Sequence, residues 1–548
     1  MSALSQHLAI LPILLPLIAG AIMIPLDDQR RRLRAGIGIA SALALLVIAI
    51  LLMVRAGASE GSHAAVSVYR LGDWPAKFGI VLVVDRLSAL MLVLTASLGL
   101  AALVFSTARW ERMGPHFHAL FQFQLMGLNG AFLTGDLFNL FVFFEVLLAA
   151  SYGLALHGSG IARVKAGLHY IAINLAASLL FLIGVSMIYG VVGTLNMADL
   201  AARIPAIPAG DRPILEAGAA ILGMAFLVKA GMWPLGFWLP TTYAAASPPA
   251  AAIFAMMSKV GVYAVLRLSL LLFGEDAGAS AGFGEGWLLA GGIMTIGFGA
   301  VSVLATQDLP RLAGASVMIS SGTLLAAVGA GQVSVTGGAL YYLASSALAV
   351  GALFLLIELL ERGRDVGADV LAVTLEAFGD GEEDEDAGEA EEVGVAIPAT
   401  MAILGACFLC CALLLAGLPP LSGFIAKFAM LSAVLNPAGL GTAAAAAVVP
   451  AASWGFLAAV ILSGLATVLA TTRAGIRNLW AVADRVVPRV SVIEIAPVLF
   501  LLLLCIGMTV QAGPVMRYMQ AAAAELHAPH AYVRDVLAPA GARGEVRP

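Results

Sequence analysis

The sequence predicts an all-α integral membrane protein of about fourteen transmembrane helices, arranged as two inverted five-helix repeats, each with a broken helix. Three observations carry this. The 548 residues are 61% hydrophobic with a mean hydropathy of +0.98, and only 11% are charged, against roughly 25% in an ordinary soluble domain. The chain divides into apolar stretches of about 20 residues, the length that crosses a hydrocarbon core. Two of these stretches are interrupted by Gly and Pro at comparable places in the two halves, the pattern of a transporter with internal repeats. A soluble enzyme is excluded at once, because 11% of charged residues cannot cover the surface of a chain this long.

The predicted spans run near 7–25, 35–55, 84–107, 117–134, 137–157, 166–190, 214–233, 249–273, 286–306, 311–330, 337–360, 397–436, 450–472 and 491–512. The stretch 397–436 is too long for one straight span and carries Gly417, Pro419 and Pro420 in its middle, so it reads as a discontinuous helix. The stretch 214–233 runs on through Pro234 to Pro240 in the same interrupted way. Broken backbone at membrane depth persists only where protein or a watery cavity satisfies the freed groups. The organisation expected is N-terminal helices over 1–112, a first repeat over 113–273 and a second over 286–472 with an acidic loop at 362–396. A helix and tail follow over 473–548. Five helices per repeat is an odd number, so the second copy is inverted.

Charge sets the orientation. No Lys or Arg occurs in residues 1–10, and Arg30, Arg31, Arg32 and Arg34 follow the first apolar stretch, which marks a retained first helix rather than a cleaved leader. With the N-terminus outside, the cytoplasmic loops hold fifteen of the 29 Lys and Arg residues and the opposite loops six, a positive-inside bias. The topology expected is therefore an N-terminus outside and an acidic run facing the cytoplasm. Ten acidic and no basic residues lie between Glu376 and Glu392; without them the net charge of −5 becomes +5. That run reads as a solvated cytoplasmic loop. Cys407, Cys410, Cys411 and Cys505 all lie in apolar stretches without a nearby histidine and read as packing residues, not ligands. No metal, haem, cluster or nucleotide cofactor and no nucleic-acid partner is indicated.

Charged groups at bilayer depth are costly, and those retained are functional candidates by default. Glu145 follows Phe143 and Phe144; Lys229 immediately precedes one helix break and Lys427 follows the other; Lys259 sits mid-span. Buried amines are suited to passing a proton on, and a carboxyl beside an amine can change protonation when its neighbour's charge moves. The bland alternative for Glu145 and Lys229 is a permanent structural ion pair. Snorkelling suits Arg267, near a span end, and not the three lysines. Asp136 and His169 also lie near span ends; His169 reads equally as an uptake relay or a packing histidine.

These residues resemble a known family. Phe143-Phe-Glu145, the run from Lys229 to Pro240, Ser258-Lys-Val-Gly261 on to Arg267, and Gly417-Leu-Pro-Pro420 on to Lys427 are similar to the antiporter-like subunits shared by respiratory complex I and the Mrp-type multisubunit monovalent cation/proton antiporters. Leu239-Pro-Thr-Thr-Tyr243 followed by Ser247-Pro-Pro249 resembles the D subunit of the antiporter, complex I relatives usually carrying a histidine at the Tyr243 position. The acidic insert and the run from Val393 to Pro398 resemble the potassium/proton version. The resemblance implies a coupled Glu145–Lys229 pair, a bridging Lys259 and a distal Lys427 along a hydrated axis. Many relatives carry a histidine and a lysine where this chain has Ser345 and Val350, so Ser345, Ser346 and water are the expected substitutes in the relay.

Two functions of different class follow. The first is the proton-translocating subunit of a multisubunit Na⁺(K⁺)/H⁺ antiporter, a secondary transporter and not an enzyme, with other subunits, protons, Na⁺ or K⁺ and membrane lipid as partners. The alternative is a proton-pumping membrane-arm subunit of a complex I-like NADH:quinone oxidoreductase or membrane hydrogenase. A third reading is a scaffold whose charges do not titrate.

Overall fold

The structure is a computed structural model that describes residues 7–27, 30–58, 66–114, 116–362, 399–436, 449–480 and 490–539. The acidic run at Glu376–Glu392 lies outside the described residues. Helices dominate: α1 (Leu11–Met23), α2 (Arg31–Gly57), then a hairpin of β1 (Ser67–Arg70) and β2 (Val81–Val84), followed by α3 (Arg86–Ser106), α4 (Phe117–Leu133), α5 (Leu137–Leu156) and α6 (Ile161–Val192). The short α7 (Met197–Arg203) leads to α8 (Arg212–Ala230), α9 (Leu239–Ala245), α10 (Pro248–Phe273), α11 (Glu285–Ala305), α12 (Leu309–Gly329) and α13 (Val333–Glu361). The chain ends with α14 (Ala399–Ala416), α15 (Ser422–Leu435), α16 (Ala451–Gly475), α17 (Val492–Val510), α18 (Ala512–His527) and α19 (His530–Leu537). Twelve of the described helices are long and apolar enough to cross a membrane. With α1, α4 and the broken α14–α15 counted as one span, they reproduce the fourteen spans read from the sequence.

Local chemistry starts the helices where the sequence places them. Asp85 caps α3 by accepting from the Ser88 backbone N–H, and Ser88 answers the Asp85 N–H. Asp136 caps α5 through the Asn139 N–H at 2.9 Å, and Asn196 caps α7 through two N–H groups. Each satisfies amides that the first turn leaves without partners.

The core is α10, α12 and α13. The most apolar stretch of α10 and of α12 is buried on every face, and that of α13 nearly so; a helix apolar all round belongs in the middle of a bundle. α8, α12 and α13 pack on α10, and α15 packs on α13. The outer helices α2, α5, α6, α14 and α17 leave much of their apolar surface exposed.

Among the described residues, the loops that join spans gather at two ends, which the chain visits in turn. One end joins Arg163 to the Ala245 and His157 carbonyls, His157 to the Trp110 carbonyl, Arg109 to Glu358, and Arg473 to the Thr306 carbonyl. The other end holds the hairpin and α18–α19, where Gly135 N–H donates to the Val81 carbonyl at 2.9 Å and Thr336 bonds His527. The hairpin was not legible in the loop 56–83, and residues 512–537 form two packed amphipathic helices rather than a plain tail.

The two breaks are built alike. α8 ends at Gly231 (φ +77°), a cis Trp233–Pro234 bond follows, and the chain resumes in α9. α14 ends at Gly417 (φ +75°), a cis Pro419–Pro420 bond follows, and the chain resumes in α15.

Candidate functional site: a line of buried lysines and hydroxyls

Lys427 lies on α15 and turns back onto the end of α14. Its Nζ donates to the Ala416 carbonyl at 2.9 Å and the Leu415 carbonyl at 3.3 Å. These are carbonyls that a helix C-terminus leaves open, and they concentrate the negative end of the helix dipole. The break thus makes a cation cradle between α14 and α15. Gly417 is required there: a Cβ would lie 2.5 Å from Lys427 Cδ, and its φ is in the left-handed region.

Lys259, only 2% exposed, sits mid-helix on α10 and donates from Nζ to Ser320 Oγ on α12 at 2.7 Å. Ser320 Oγ donates in turn to Ser346 Oγ on α13 at 2.9 Å. The neighbouring Ser345 faces the other way and shares a 2.8 Å bond with Ser422 Oγ at the start of α15, five residues before Lys427. All four serines are buried. Hydroxyls both accept and donate, so the two serines of α13 extend hydrogen bonding from Lys259 on one side and to the helix of Lys427 on the other.

Lys229 is buried at the end of α8, with Nζ 5.0 Å from the centroid of the Phe144 ring. Glu145 is half-buried on α5 and accepts a 2.5 Å hydrogen bond from Ser178 on α6. The sequence reading expects Glu145 and Lys229 to act as a coupled pair. No salt bridge joins them among the described residues, and Lys229 Nζ has no hydrogen-bond partner there. Lys229 turns its ammonium to the Phe144 ring, and Glu145 turns to the Ser178 hydroxyl. A buried ammonium with no protein acceptor is a group that ordered water ordinarily satisfies. α8 meets α10 so closely that a Cβ at Gly261 would lie 2.5 Å from the Ala230 nitrogen; this brings the segment carrying Lys229 against the one carrying Lys259.

Other expectations fare differently. His169 lies on the exposed face of α6, its Nδ1 2.9 Å from the Lys165 carbonyl, so it neither packs in the core nor joins the lysine line. The buried residue of that turn is Tyr170, bonded to Ser151 at 2.6 Å. Arg267 does not snorkel: it is buried and forms a two-pronged ion pair with Asp85, the second prong at 2.9 Å. Pro234, Pro419 and Pro420 are exposed, and Pro240 is half-buried. Around the first break, the Trp233 N–H donates to Thr295 Oγ1 at 2.9 Å and the Trp238 indole to the Val228 carbonyl at 3.2 Å. Tyr243 donates to the Phe254 carbonyl at 2.7 Å. The sequence reading missed Ser178, Ser320, Ser422 and the Asp85 partner, because a serine in an apolar helix carries no periodic or charge signal of its own.

Comparison with known proteins follows the same line. Residues 134–452 match the family described as NADH:quinone oxidoreductase/Mrp antiporter, TM. The chain is 61% identical over 532 residues to a Rhizobium meliloti (strain 1021) protein named as a probable K(+)/H(+) antiporter D subunit, covering 97% of this chain and 98% of that one. It is 32% identical over 539 residues to the Na(+)/H(+) antiporter D subunit of Alkalihalophilus pseudofirmus, covering 97% and 99%. A chain in the structure of the Mrp complex from Dietzia sp. DQ12-45-1b superposes with a TM-score of 0.78 at 25% identity, covering 98% of this chain and 100% of that one.

Proposed function

Because the chain belongs to the NADH:quinone oxidoreductase/Mrp antiporter membrane family, we propose that it is the proton-carrying subunit of a multisubunit monovalent cation/proton antiporter, with potassium as the cation exchanged. The observation that supports this most is the hydrogen-bonded line from Lys259 through Ser320 to Ser346, continued by Ser345 and Ser422 toward Lys427. Potassium is favoured by the name of the 61% identical relative, whose likeness runs over nearly the whole of both chains.

A proton leaving Lys259 passes to Ser320 as that hydroxyl passes its own to Ser346. A water then carries it past the adjacent Ser345 and Ser422 to Lys427, whose ammonium the α14 carbonyls stabilise. Glu145 and Lys229 set when this happens. They interact through space, so a positive charge arriving at Glu145 withdraws stabilisation from the Lys229 ammonium and releases a proton toward Lys259. The matched glycine–cis-proline breaks support two inverted repeats, and the alternation of loops supports an N-terminus outside, with the end holding Arg30, Arg109 and Arg163 in the cytoplasm.

The test is cation-dependent collapse of a pH gradient in everted vesicles from cells lacking other antiporters. Vesicles with the whole complex should respond to added K⁺, and those with Lys259→Ala at equal complex abundance should not. Gradient formation driven by NADH and indifferent to K⁺ would replace this reading with the oxidoreductase-arm one.

A further inference from the structure

The proposed proton line leaves α10 sideways, from Lys259 toward Ser320. The helix itself runs on to the end of the bundle that holds the hairpin and α18–α19, the outer end in the orientation proposed above. Lys259, Tyr263 and Arg267 recur at four-residue intervals, so they share one face of α10, and Arg267 stands about 12 Å beyond Lys259. Neither of the outer two is placed to hand a proton on. Tyr263 donates its hydroxyl proton to the Phe132 carbonyl at 2.7 Å, where it stops, and accepts from Arg267 Nη2 at 3.2 Å. Arg267 is 6% exposed and grips the Asp85 carboxylate with both terminal nitrogens. A guanidinium has five donors and no acceptor, so an arriving proton finds no lone pair to take it.

The surroundings close the same way. The Tyr263 and Tyr532 rings, both buried, have their centroids 5.4 and 5.5 Å from the guanidinium carbon. Asp85 is fixed in turn by the Ser88 N–H at 2.8 Å. Beyond the pair lies a cavity of about 40 Å³ lined by Asp85, Arg267, Glu525, Ala528 and Tyr532, among others. A polar cavity of that size takes about two or three waters, and Ala528 on its rim is exposed. Arg86 pairs with Glu525 as Arg267 does with Asp85, so the four charges of this layer balance. The layer is thus suited to stopping an ion rather than holding one, as an arginine in a pore excludes protons. We propose that Arg267, held by Asp85 and closed over by Tyr263 and Tyr532, is the outer barrier of the proton line, which keeps a proton on Lys259 from leaving along α10 and so directs it to Ser320. The proposal rests on the reading of Lys259 as a proton carrier.

Proteoliposomes holding the whole complex, in choline with a permeant anion and without K⁺ or Na⁺, report passive proton leak as the decay of an imposed pH gradient. Asp85→Asn with Arg267→Gln removes both charges and leaves neither unpaired. At equal complex abundance this pair should speed the decay several-fold, and adding Lys259→Ala should return it to the unmodified rate. Arg267→Lys, which keeps a cation with donors and no acceptor, should leak little. Arg203→Ala breaks the ion pair with Asp199 on α7, against which α19 packs, and should leave the decay unchanged. Should the paired variant fail to assemble, chains with Arg267 and Asp85 intact decide. A membrane-impermeant thiol reagent added outside should modify Ala528→Cys and spare Ser320→Cys, read at each site by mass spectrometry. An unaltered decay in the paired variant, a leak that survives Lys259→Ala, an equal leak in Arg203→Ala, or labelling of Ser320→Cys from outside would each overturn the barrier. The decay is read without a transported cation, so an unaltered decay beside lost K⁺ exchange in Lys259→Ala strikes the barrier alone, whereas normal exchange in Lys259→Ala strikes the carrier reading beneath it.

Discussion

At the scale of single residues, the charges were legible and the groups between them were not. An amine in an apolar helix is conspicuous because its burial needs a reason, so Lys229, Lys259 and Lys427 could be named from the sequence alone, and all three are buried. Ser320 could not, since helices routinely bury serines by bonding them to their own backbone, and only the structure places it between Lys259 and Ser346. Its role leads to a sharp expectation. A hydrogen bond to a charged group is worth about 1.5–3 kcal/mol, so Ser320→Ala should slow exchange by roughly tenfold or more, while Ser320→Thr, which keeps the hydroxyl, should restore most of it. Equal loss in both variants would mean that the residue matters for packing alone. For Glu145 and Lys229 the expectation is non-additivity: Glu145→Gln should remove nearly all exchange, and adding Lys229→Ala should cost little more, since residues that act as a unit do not add. Lys229 Nζ has no hydrogen-bond partner among the described residues, Glu145 included, which makes Glu145→Asp informative. Without a direct contact to break, the shortened carboxylate should keep partial activity, and normal transport by Glu145→Gln in an intact complex would remove the pair from the pathway.

At the scale of elements, the breaks were readable because Gly and Pro cannot continue a helix, whereas the hairpin and α18–α19 were hidden. Val81–Val84 sits inside a long connection, and α18 owes its place to contacts with residues hundreds of positions away, such as the Arg86 carbonyl that accepts from the Tyr518 hydroxyl at 2.9 Å. The second break depends on Gly417. An alanine there costs about 1–2 kcal/mol for the left-handed backbone and collides with Lys427 Cδ, so Gly417→Ala should lower exchange and thermal stability together; a variant unaffected in both would show that the loop adjusts freely. The docking of α18 carries a pH dependence. Burial pushes the Glu525 carboxyl up to about 7, against the pull of Arg86 and Arg267 and with a further push from Asp85. A raised carboxyl holds a proton in the docked state that it gives up when released. Docking is therefore strongest below the ordinary glutamate range near 4.5, weakens as pH climbs toward about 7, and is flat above it. Hydrogen exchange across residues 512–537, corrected for its intrinsic pH dependence, should show protection falling over that window. Glu525→Gln should abolish the trend, and protection that rises with pH would refute it.

At the scale of the whole molecule, the proposed proton line and the protein surface are not equally complete. Lys229, Lys259 and Lys427 are enclosed by this chain, but Glu145 is only half-buried, on a helix whose neighbour α6 exposes Leu175, Leu179 and Ile183. A carboxylate open to lipid at that depth costs several kcal/mol on most scales, and exposing it to acyl chains would also leave the start of the line without a defined water supply. The outer face of α5 and α6 beside Glu145 therefore needs a cover that offers the carboxylate polar partners, which another membrane subunit can supply and an acyl chain cannot. It follows that the isolated chain, purified and reconstituted at controlled orientation, should show no cation-dependent proton exchange, while liposomes holding the full complex should. The outcome has a residue-level counterpart in the same preparation. A carbodiimide that modifies carboxyls from the hydrocarbon phase should label Glu145 in the isolated chain several times faster than in the complex, with Glu145→Gln as the blank. Robust exchange by the chain alone, or equal labelling in both preparations, would mean that the line is complete within one subunit and that the partners serve only the cation.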